Sequence, residues 1–351
     1  MPGKFGILAT NFGVMTDMER ALEFFHKIDT AHLAVFRDCF KGLGFDGWGN
    51  SGPNFHSRLY TANSQFAESD YFYKGPKEFV HWTSIQGLFS ILCGVSFRMY
   101  NLDSSDDEEE YEYAGKVLGL SPERIAFAKQ FFFTLSFCPI SELDNKHIWK
   151  VYGGEYSKAA IVFTIENDPM TWDNFHMAEV KYEDVEAFKN YGERVKEIER
   201  SNGISLWCDL SPLIGFHKGP SWSHEKEVRI STYYPYQSYD EYLKYAKTDY
   251  RLKAGRNRIT NYIELPLWVD NESGWLNNYD KPELDRRQLL PMGFFKEHPQ
   301  IKIKRIVVGN KSGLNWEEYG KLEHTIFQTC RDRMGYDVEV DLNMYGPTNV
   351  P

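Results

Sequence analysis

The chain of 351 residues lacks the features of a disulfide-linked, secreted or membrane-spanning protein. Its five cysteines are far apart and include no C-x-x-C pair, which argues against a disulfide framework and a cysteine-rich zinc site. No apolar run approaches the roughly 18 residues that a membrane-spanning helix needs. The first residues, interrupted by Asn11, make a poor secretory signal. We therefore expect a soluble protein of the reducing cytoplasm.

Several well-known catalytic motifs are also missing. The sequence has no G-x-S-x-G elbow and no G-x-x-x-x-G-K-[ST] loop, and its ten histidines form no H-x-H or H-x-x-x-H pair. A G-x-G-x-x-G match at Gly42, Gly44 and Gly47 follows a predicted helix and precedes a predicted loop, so we interpret it as chance. No metal site is expected.

The chain does have an ordinary globular composition, many aromatic residues and an acidic balance. Hydrophobic residues make up 42% and charged residues 26%, which excludes a disordered protein. The net charge of −10 argues against a protein that coats nucleic acid through bulk electrostatics. It does not exclude a local basic groove beside one active site.

The order of the predicted elements indicates an α+β fold. A T-x-x-E capping box at Thr16 and Glu19 predicts a helix over 16–41, followed by a long glycine-rich loop over 42–53. We expect residues 1–75 to be an N-terminal extension and residues 76–345 to be the main domain. Within it the patterns predict strands at 79–84, 131–137, 159–165, 226–233 and 260–268, and helices at 85–93, from Ser121, at 141–152 and at 183–200. The chain ends in a predicted strand, helix and strand at 301–309, 315–334 and 336–340, which favours a parallel crossover.

The sharpest local pattern is W-S-H-E-K-E-V-R, at residues 222–229. In a strand, alternation would place Glu225, Glu227 and Arg229 on one face, with the two carboxylates about 7 Å apart. Such a pair could stabilise positive charge that develops on a sugar ring. The alternative is an exposed strand that carries a ladder of charges.

A second pattern is H-W-T-S, at residues 81–84. His81 and Thr83 would point the same way from a strand and offer an imidazole and a hydroxyl to a polar ligand. Alternatively, Thr83 or Ser84 caps a helix and a buried His81 bonds to the backbone.

Three further side chains are candidates for the same site. Ser136, at the end of an apolar strand, could bind a ligand or satisfy a neighbouring backbone group. Trp149 and Tyr152 lie three apart on a predicted helix that ends in Gly-Gly, so they could stack on a flat heterocycle. The alternative for this pair is core packing followed by a helix C-cap.

In this order, the segments resemble a widespread bacterial domain family of unknown function with H-[YW]-T-S, F-S, W-x-x-Y and K…W-x-x-E-x-E-x-R motifs. The resemblance covers residues 78–342, and the matching positions are His81 to Ser84, Ser136, Trp149, Tyr152, Lys218, Trp222, Glu225, Glu227, Arg229 and Ile306 to Gly309. The family's N-D-P-x-E element is replaced here by residues 101–105 and an acidic run, so no role is assigned to Asn101 or Asp103.

The same order also resembles the ADP-ribosyltransferase superfamily of bacterial toxins and related enzymes. This resemblance implies a mixed split sheet with flanking helices, and NAD as co-substrate. It implies that His81 and Thr83 orient NAD with support from Ser136 and Arg229, and that Tyr152 or Trp149 stacks on nicotinamide.

The resemblance further implies a reaction. Glu227 would stabilise an oxocarbenium-like ribose and Glu225 would orient the acceptor. The function implied is an NAD-dependent ADP-ribosyltransferase that modifies RNA, DNA or protein, as a bacterial toxin or anti-phage effector with an antitoxin or other inhibitory partner. The alternatives are a sensor module that binds a nucleotide or protein without turnover, and an NAD glycohydrolase that uses water as acceptor.

Overall fold

The computed structural model describes Glu19 and residues 40–49, 52–59, 63–104, 111–172, 174–182, 186–208, 210–233, 246–253, 256–270, 298–310 and 312–343. In these residues the fold is α+β, with mixed sheets and several helices.

The strands, in chain order, are β1 (Phe40–Gly49), β2 (Gly52–Leu59), β3 (Glu78–Thr83), β4 (Ser96–Asn101), β5 (Phe132–Pro139), β6 (Ala159–Ile165), β7 (His176–Glu179), β8 (Ser205–Cys208), β9 (Val228–Tyr233), β10 (Lys247–Lys253), β11 (Arg256–Pro266), β12 (Ile301–Gly309) and β13 (Glu339–Asn343). The α-helices are α1 (Ile85–Gly94), α2 (Glu112–Val117), α3 (Pro122–Phe131), α4 (Lys146–Val151), α5 (Glu186–Asn202), α6 (Ser211–Ile214) and α7 (Trp316–Met334). Short 3-10 helices lie at Asn63–Phe66, Leu102–Ser104, Ile140–Glu142, Pro169–Thr171 and Pro220–Glu225.

Most of these strands form one mixed sheet with the order β10-β11-β4-β5-β3-β6-β12-β13. The neighbouring strands run antiparallel except β12 and β13, which are parallel and are connected through α7. The predicted order of strand, helix and strand at the end of the chain, and their parallel pairing, are therefore confirmed, but the last strand spans Glu339–Asn343 and not 336–340.

The sheet divides at β5, which pairs with three other strands. One edge of β5 pairs with β9 over Phe132–Phe137. The other edge pairs with β4 near its beginning, through Thr134, and with β3 near its end, through Cys138. Because β3 and β4 share this edge and then diverge, a cleft lies between them beside the middle of β5.

Alternation along β5 gives the sheet two different faces. Phe133, Leu135 and Phe137 pack in the main hydrophobic core, with residues of α1 and α7. On the opposite face, Phe132 belongs to a second core with side chains of α5 and α6, while Cys138 belongs to a third, smaller cluster around Trp149. Thr134 and Ser136 lie between those two clusters, so this face of β5 has a polar middle.

The predictions for the N-terminal region were partly wrong. Of the predicted helix at 16–41, only Glu19, which is helical, and residues 40–41 lie within the described part of the chain, and the latter belong to β1. The predicted loop at 42–53 is instead an antiparallel hairpin of β1 and β2. The glycines suggested a loop, but aromatic residues alternate with them, and Phe45 pairs with Phe55 across the hairpin.

The same hairpin joins the extension to the main part of the chain. β2 pairs in parallel with β8 through Asn54 and Ser205, so a strand before residue 75 completes a sheet with a strand far beyond it. Phe66 and Tyr71 are buried in the second core. The boundary at residue 75 stays a prediction, and residues on either side of it share contacts.

Capping residues set several helix boundaries, as the sequence indicates. Ser121 caps α3, and Asn315 with Glu318 forms a capping box at α7. The predicted helix at 141–152 is shorter because Asn145 is its N-cap, accepting a hydrogen bond from the amide of His147 at 3.0 Å. Within the described ranges, none of the helices has the length and apolar content to cross a bilayer.

Candidate functional site

A cavity of about 550 Å³ occupies the cleft where β3 and β4 diverge. This volume is within the range of roughly 300–1,000 Å³ found for small-molecule sites. Its walls come from β3, the start of α1, β4, β5, the residue after α4 and the residue before β6. The lining residues are His81, Trp82, Thr83, Ser84, Gly87, Ser90, Ile91, Ser96, Phe97, Arg98, Tyr100, Asn101, Leu102, Thr134, Leu135, Ser136, Tyr152 and Lys158.

His81 spans the cleft between β3 and β5. Its Nδ1 lies 2.9 Å from the carbonyl oxygen of Ser136, and since a carbonyl only accepts, Nδ1 carries the proton. Burial lowers the pKa of His81 even though the bond to Ser136 opposes the shift. The imidazole is therefore neutral at pH 7, and Nε2 is an acceptor that suits a hydroxyl donor from a ligand. The alternative interpretation, in which His81 bonds to the backbone, is therefore correct for Nδ1.

Thr83 and Ser84 line the cavity where β3 leads into α1. Ser84, and not Thr83, is the N-cap, and its hydroxyl accepts from the amide of Gly87 at 2.9 Å. The hydroxyl of Thr83 lies against Gly87, at a place where any side chain on Gly87 would collide with it. A glycine in the first turn of α1 thus leaves room for the Thr83 hydroxyl at the cavity wall.

The charged side chains in the cavity wall are cationic. Arg98 and Lys158 line it, and no aspartate or glutamate is among the described lining residues. Arg98 is fixed by Asp249 of β10, at 2.8 Å, and Asp249 also accepts from the hydroxyl of Tyr100 at 2.9 Å. The described cavity wall therefore combines Lys158, an Arg98 that is already paired with Asp249, and several hydroxyl groups.

The structure separates the two predicted stacking residues. Tyr152 follows α4 and lines the cavity. Trp149 is 1% exposed, donates its indole N–H to the carbonyl of Leu143 at 2.5 Å and stacks on Tyr156 with ring centroids 5.3 Å apart. The core-packing alternative is thus correct for Trp149, and Tyr152 is the one of the pair that a ligand can reach.

Glu225 and Glu227 do not lie on the strand that the alternation predicts. Pro220–Glu225 is a 3-10 helix, Lys226 has φ 46° in the left-handed region, and β9 begins only at Val228. The predicted strand at 226–233 therefore starts two residues too early, because the chain turns sharply at Lys226. That turn, and not strand alternation, brings both carboxylates to Lys218.

Together these side chains form what we call the ion cluster, which consists of Lys218, Glu225, Glu227 and Arg229. The Nζ of Lys218 lies 2.8 Å from Glu225 and 2.6 Å from Glu227. Arg229 donates to both oxygens of Glu227, at 2.6 and 3.2 Å, and to the carbonyl of Gly215 at 2.5 Å. Arg229 is 1% exposed and Glu227 5%, so two cations and two carboxylates balance inside the protein.

The ion cluster holds Glu227 in its charged form. Burial raises the pKa of Glu227, but the nearby charges of Arg229 and Lys218 outweigh it and leave the pKa far below its usual range. The backbone N–H of Glu227 also donates to the hydroxyl of Tyr182 at 2.9 Å. Glu227 is therefore an ionised, fixed carboxylate at neutral pH.

The ion cluster lies next to the cavity but outside its lining. Arg229 pairs directly with Ser136 across β5 and β9, so the two residues share a face of the sheet. Farther along, the thiol of Cys138 donates to the carbonyl of Glu225 at 3.2 Å. Four of the predicted residues line the cavity: His81, Thr83, Ser136 and Tyr152. Three others belong to the ion cluster, outside the cavity lining: Glu225, Glu227 and Arg229. Trp149 is in the hydrophobic core.

Sequence reasoning missed several cavity residues, among them Arg98, Tyr100, Thr134 and Lys158. A signal for the first two was present, because S-F-R-M-Y-N alternates apolar and polar residues at 96–101 and forms β4. Lys158 stands alone before an apolar strand, and only the fold brings it to the cleft. Within the described residues, no group of three or more His, Cys, Asp or Glu side chains is placed to hold a metal ion.

No protein-family model, no curated protein and no solved structure matches this chain.

Proposed function

We propose that this protein is an NAD-dependent ADP-ribosyltransferase with an ADP-ribosyltransferase-like split sheet, and that the cavity between β3 and β4 binds NAD. One observation carries the proposal. His81, Thr83, Ser136 and Tyr152 come from separate segments of the sequence, and all four line the same cavity. The size, polarity and cationic walls of that cavity suit a dinucleotide with two phosphates.

Each lining group has a proposed part in holding NAD. The neutral His81 accepts a hydrogen bond from a ribose hydroxyl through Nε2, and Thr83 contributes its hydroxyl nearby. Tyr152 stacks on the nicotinamide ring, while Arg98 and Lys158 face the phosphates. These contacts would hold the dinucleotide in one conformation, which is the main contribution of positioning to catalysis.

The proposed reaction needs little acid–base chemistry. The bond between ribose C1′ and the nicotinamide nitrogen breaks, and its electron pair leaves with nicotinamide, which becomes neutral. A lone pair of the acceptor forms the new bond to C1′, and the proton of the acceptor passes to solvent. A fixed negative charge nearby stabilises the oxocarbenium-like ribose between these events.

Glu227 is the carboxylate that we assign to this charge stabilisation. Its ionised state fits the task, and its neighbour Arg229 lies across from Ser136 of the cavity. In this structure Lys218 and Arg229 hold it outside the lining. Direct contact with ribose therefore requires Glu227 to leave both Lys218 and Arg229, after which Lys218 keeps Glu225 as its partner.

The direct test measures nicotinamide release and the transfer of adenylate-labelled NAD to RNA, DNA or protein in a bacterial lysate. Tyr152→Ala should lower kcat/KM for NAD by roughly 10- to 100-fold, since ring stacking contributes about 1–3 kcal/mol. Phe127→Ala is a matched control, because Phe127 is an aromatic residue, 53% exposed, outside the cavity. Equal rates for wild type and Tyr152→Ala would contradict the assignment of the cavity.

A second candidate function is a nucleotide sensor that binds without turnover. The observation that favours it is the absence of a carboxylate from the described cavity lining, together with the engagement of Glu227 by two cations. Calorimetric titration with NAD separates the two. Saturable NAD binding that depends on Tyr152, with no nicotinamide release and no labelled product, would establish the sensor.

A further inference from the structure

β13 is the last strand of the large sheet, and its outer side pairs with no strand in the described part of the chain. On its inner side it pairs in parallel with β12, and the strand order ends there. An edge strand presents backbone N–H and C=O groups that can pair with a further strand. β13 therefore has the hydrogen-bonding capacity to accept an extended segment from outside, as in β-strand addition.

A groove of about 420 Å³ lies between α7 and this edge of the sheet, and we call it the edge groove. Its apolar lining consists of Phe327 of α7 and of Val338 and Val340, which lie just before and within β13. Gly320 leaves the helix side open, because a Cβ added there would meet nothing within 4 Å. Since side chains alternate along a strand, every second side chain of a strand added to β13 would point towards α7 and this groove.

The apolar surface continues beyond the edge groove, towards the start of α7. Tyr319 donates its hydroxyl to the carbonyl of Val340 at 3.4 Å, and its ring meets that of Trp316 edge to face, with centroids 6.3 Å apart. Trp316 is 71% exposed and Leu314 is 37% exposed. Tryptophan is enriched among the residues that dominate binding at protein interfaces. This surface therefore favours a protein segment as its ligand.

The charges of the edge groove are acidic. Glu323 and Glu339 line it and are exposed, together with His324, and no described lining residue is a lysine or an arginine. Burial raises the pKa of Tyr319 to about 12, and the nearby charges of Glu323 and Asp341 add to this shift. Three cations nearby are each paired with another carboxylate, in the ion pairs Arg305–Asp341, Lys321–Glu317 and Arg331–Asp337. The edge groove therefore favours a positively charged segment.

The same charges disfavour a second copy of this chain as the added strand. Glu339 and Asp341 have the same parity, so they lie on one face of β13. If two copies of β13 paired antiparallel in a register centred between residues 339 and 341, carboxylates would lie opposite carboxylates. Like charges directly opposite each other destabilise a strand pair. A basic strand would place opposite charges there instead.

We propose that the edge groove binds a basic, extended segment of another protein, which adds to β13 as the next strand of the sheet. β13 lies three strand spacings from β3, or about 14 Å from that wall of the cavity. The edge groove is thus a second site, and this inference does not depend on the proposed function.

The test uses a labelled peptide of about nine residues in which lysine and valine alternate, because that pattern gives a strand one basic and one apolar face. Fluorescence anisotropy measures its binding to the full chain. A matched peptide with glutamate in place of lysine tests the charge. Another with proline in place of valine tests strand pairing, since proline has no N–H to donate. The lysine peptide should bind saturably, and both others at least roughly tenfold more weakly.

Two leucine substitutions on α7 test the location of this binding. Gly320→Leu fills the edge groove from the helix side, where nothing crowds the new Cβ, and it replaces glycine by a better helix former. This variant should therefore fold, and it should bind the lysine peptide at least roughly tenfold more weakly than wild type. Thr325→Leu adds the same side chain at an exposed position of α7 outside the groove lining, and it should bind as wild type does.

Charge reversal separates this site from a general attraction to an acidic chain. Glu339→Lys should weaken binding of the lysine peptide and strengthen binding of the glutamate peptide, whereas Glu193→Lys, at an exposed position of α5, should change neither. The proposal is overturned if the lysine peptide shows no saturable binding, or if it binds wild type and Gly320→Leu equally. A dimer seen by sedimentation that Gly320→Leu abolishes would also overturn it, because a second copy would then be the occupant.

Discussion

The cavity and the ion cluster lie side by side along β5 and β9, and their polar groups are satisfied in opposite ways. Each charge of the ion cluster meets an opposite charge of the protein within 3 Å, out of contact with solvent. In the cavity, by contrast, the imidazole of His81 uses one nitrogen internally and turns the other to open space. A buried group whose charge is balanced by its neighbours stabilises the folded state, whereas a group with unused bonding capacity at a cavity wall can still form a hydrogen bond to a ligand.

Breaking the ion cluster should have the largest effect on stability. Glu227→Gln leaves Arg229 as a buried cation without its charged partner, and the free energy of unfolding should fall by about 3–5 kcal/mol. Urea denaturation followed by circular dichroism measures this loss. Glu317→Gln, which removes an exposed partner of Lys321, should cost no more than a few tenths of a kcal/mol.

A double variant keeps the interpretation of Glu227→Gln testable if that variant folds poorly. Glu227→Gln with Arg229→Gln removes both charges of one pair, and it should lose less stability than the two single changes added together. If the loss in the double variant equals the sum of the two single losses, the buried charges are not coupled. The contrast between a charge-balanced ion cluster and the cavity would then be wrong. The folding defect also means that lost activity in Glu227→Gln must be compared per folded molecule.

As the pH falls, the free energy of unfolding should decrease first because of two buried histidines, and only at lower pH because the carboxylates become protonated. Burial lowers the pKa of His217 to about 3, with a further contribution from Lys181, and burial lowers that of His176 to about 4. Both are neutral when folded, while the unfolded chain takes up protons below about pH 6.5. Their contribution is therefore complete above pH 6.5 and is lost as the pH falls through 6.5 towards the folded pKa values.

The expected change is a loss of a few kcal/mol in the free energy of unfolding between pH 7.5 and about pH 4. Glu227 adds to the loss only below its ordinary pKa of 4.5, because its folded pKa is lowered. Urea denaturation at a series of pH values measures the slope of the free energy of unfolding against pH. His176→Leu should make this slope shallower, and a slope insensitive to His176 would contradict this account.

The smallest effect on stability should come from the cavity itself. Gly87→Ala adds a methyl group against the Thr83 hydroxyl, so Thr83 must move. A better helix former at that position offsets part of this cost, and the free energy of unfolding should change by less than about 1 kcal/mol. Affinity for NAD, measured by calorimetry, should nevertheless fall by roughly tenfold. Gly320→Ala on α7, where nothing crowds the added methyl, is the control.

Local chemistry made much of the main domain predictable. Helix caps at Ser121 and Asn315, and the apolar runs of β5, β6 and β12, specify their elements through neighbouring residues alone. The prediction was wrong where a tertiary contact overrides a local pattern. Glycines at 42–47 indicated a loop but form a strand that pairs with β2, and alternation at 225–229 indicated a strand where the chain turns at Lys226.

Four of the residues predicted for the candidate site line the cavity, but their function stays a prediction, and the positions of the other predicted residues did not follow from the sequence. The sequence determined by itself that His81, Thr83, Ser136 and Tyr152 are chemically able to hold a polar ligand, since residue type and strand or helix spacing suffice for that statement. Only the tertiary structure decided that Trp149 is core, that Arg98 and Lys158 join the cavity, and that Glu225 and Glu227 are balanced by Lys218 and Arg229 behind it. The reason is physical: the protonation and availability of a side chain depend on burial and on charges within a few ångströms, and strands far apart in sequence bring those charges together.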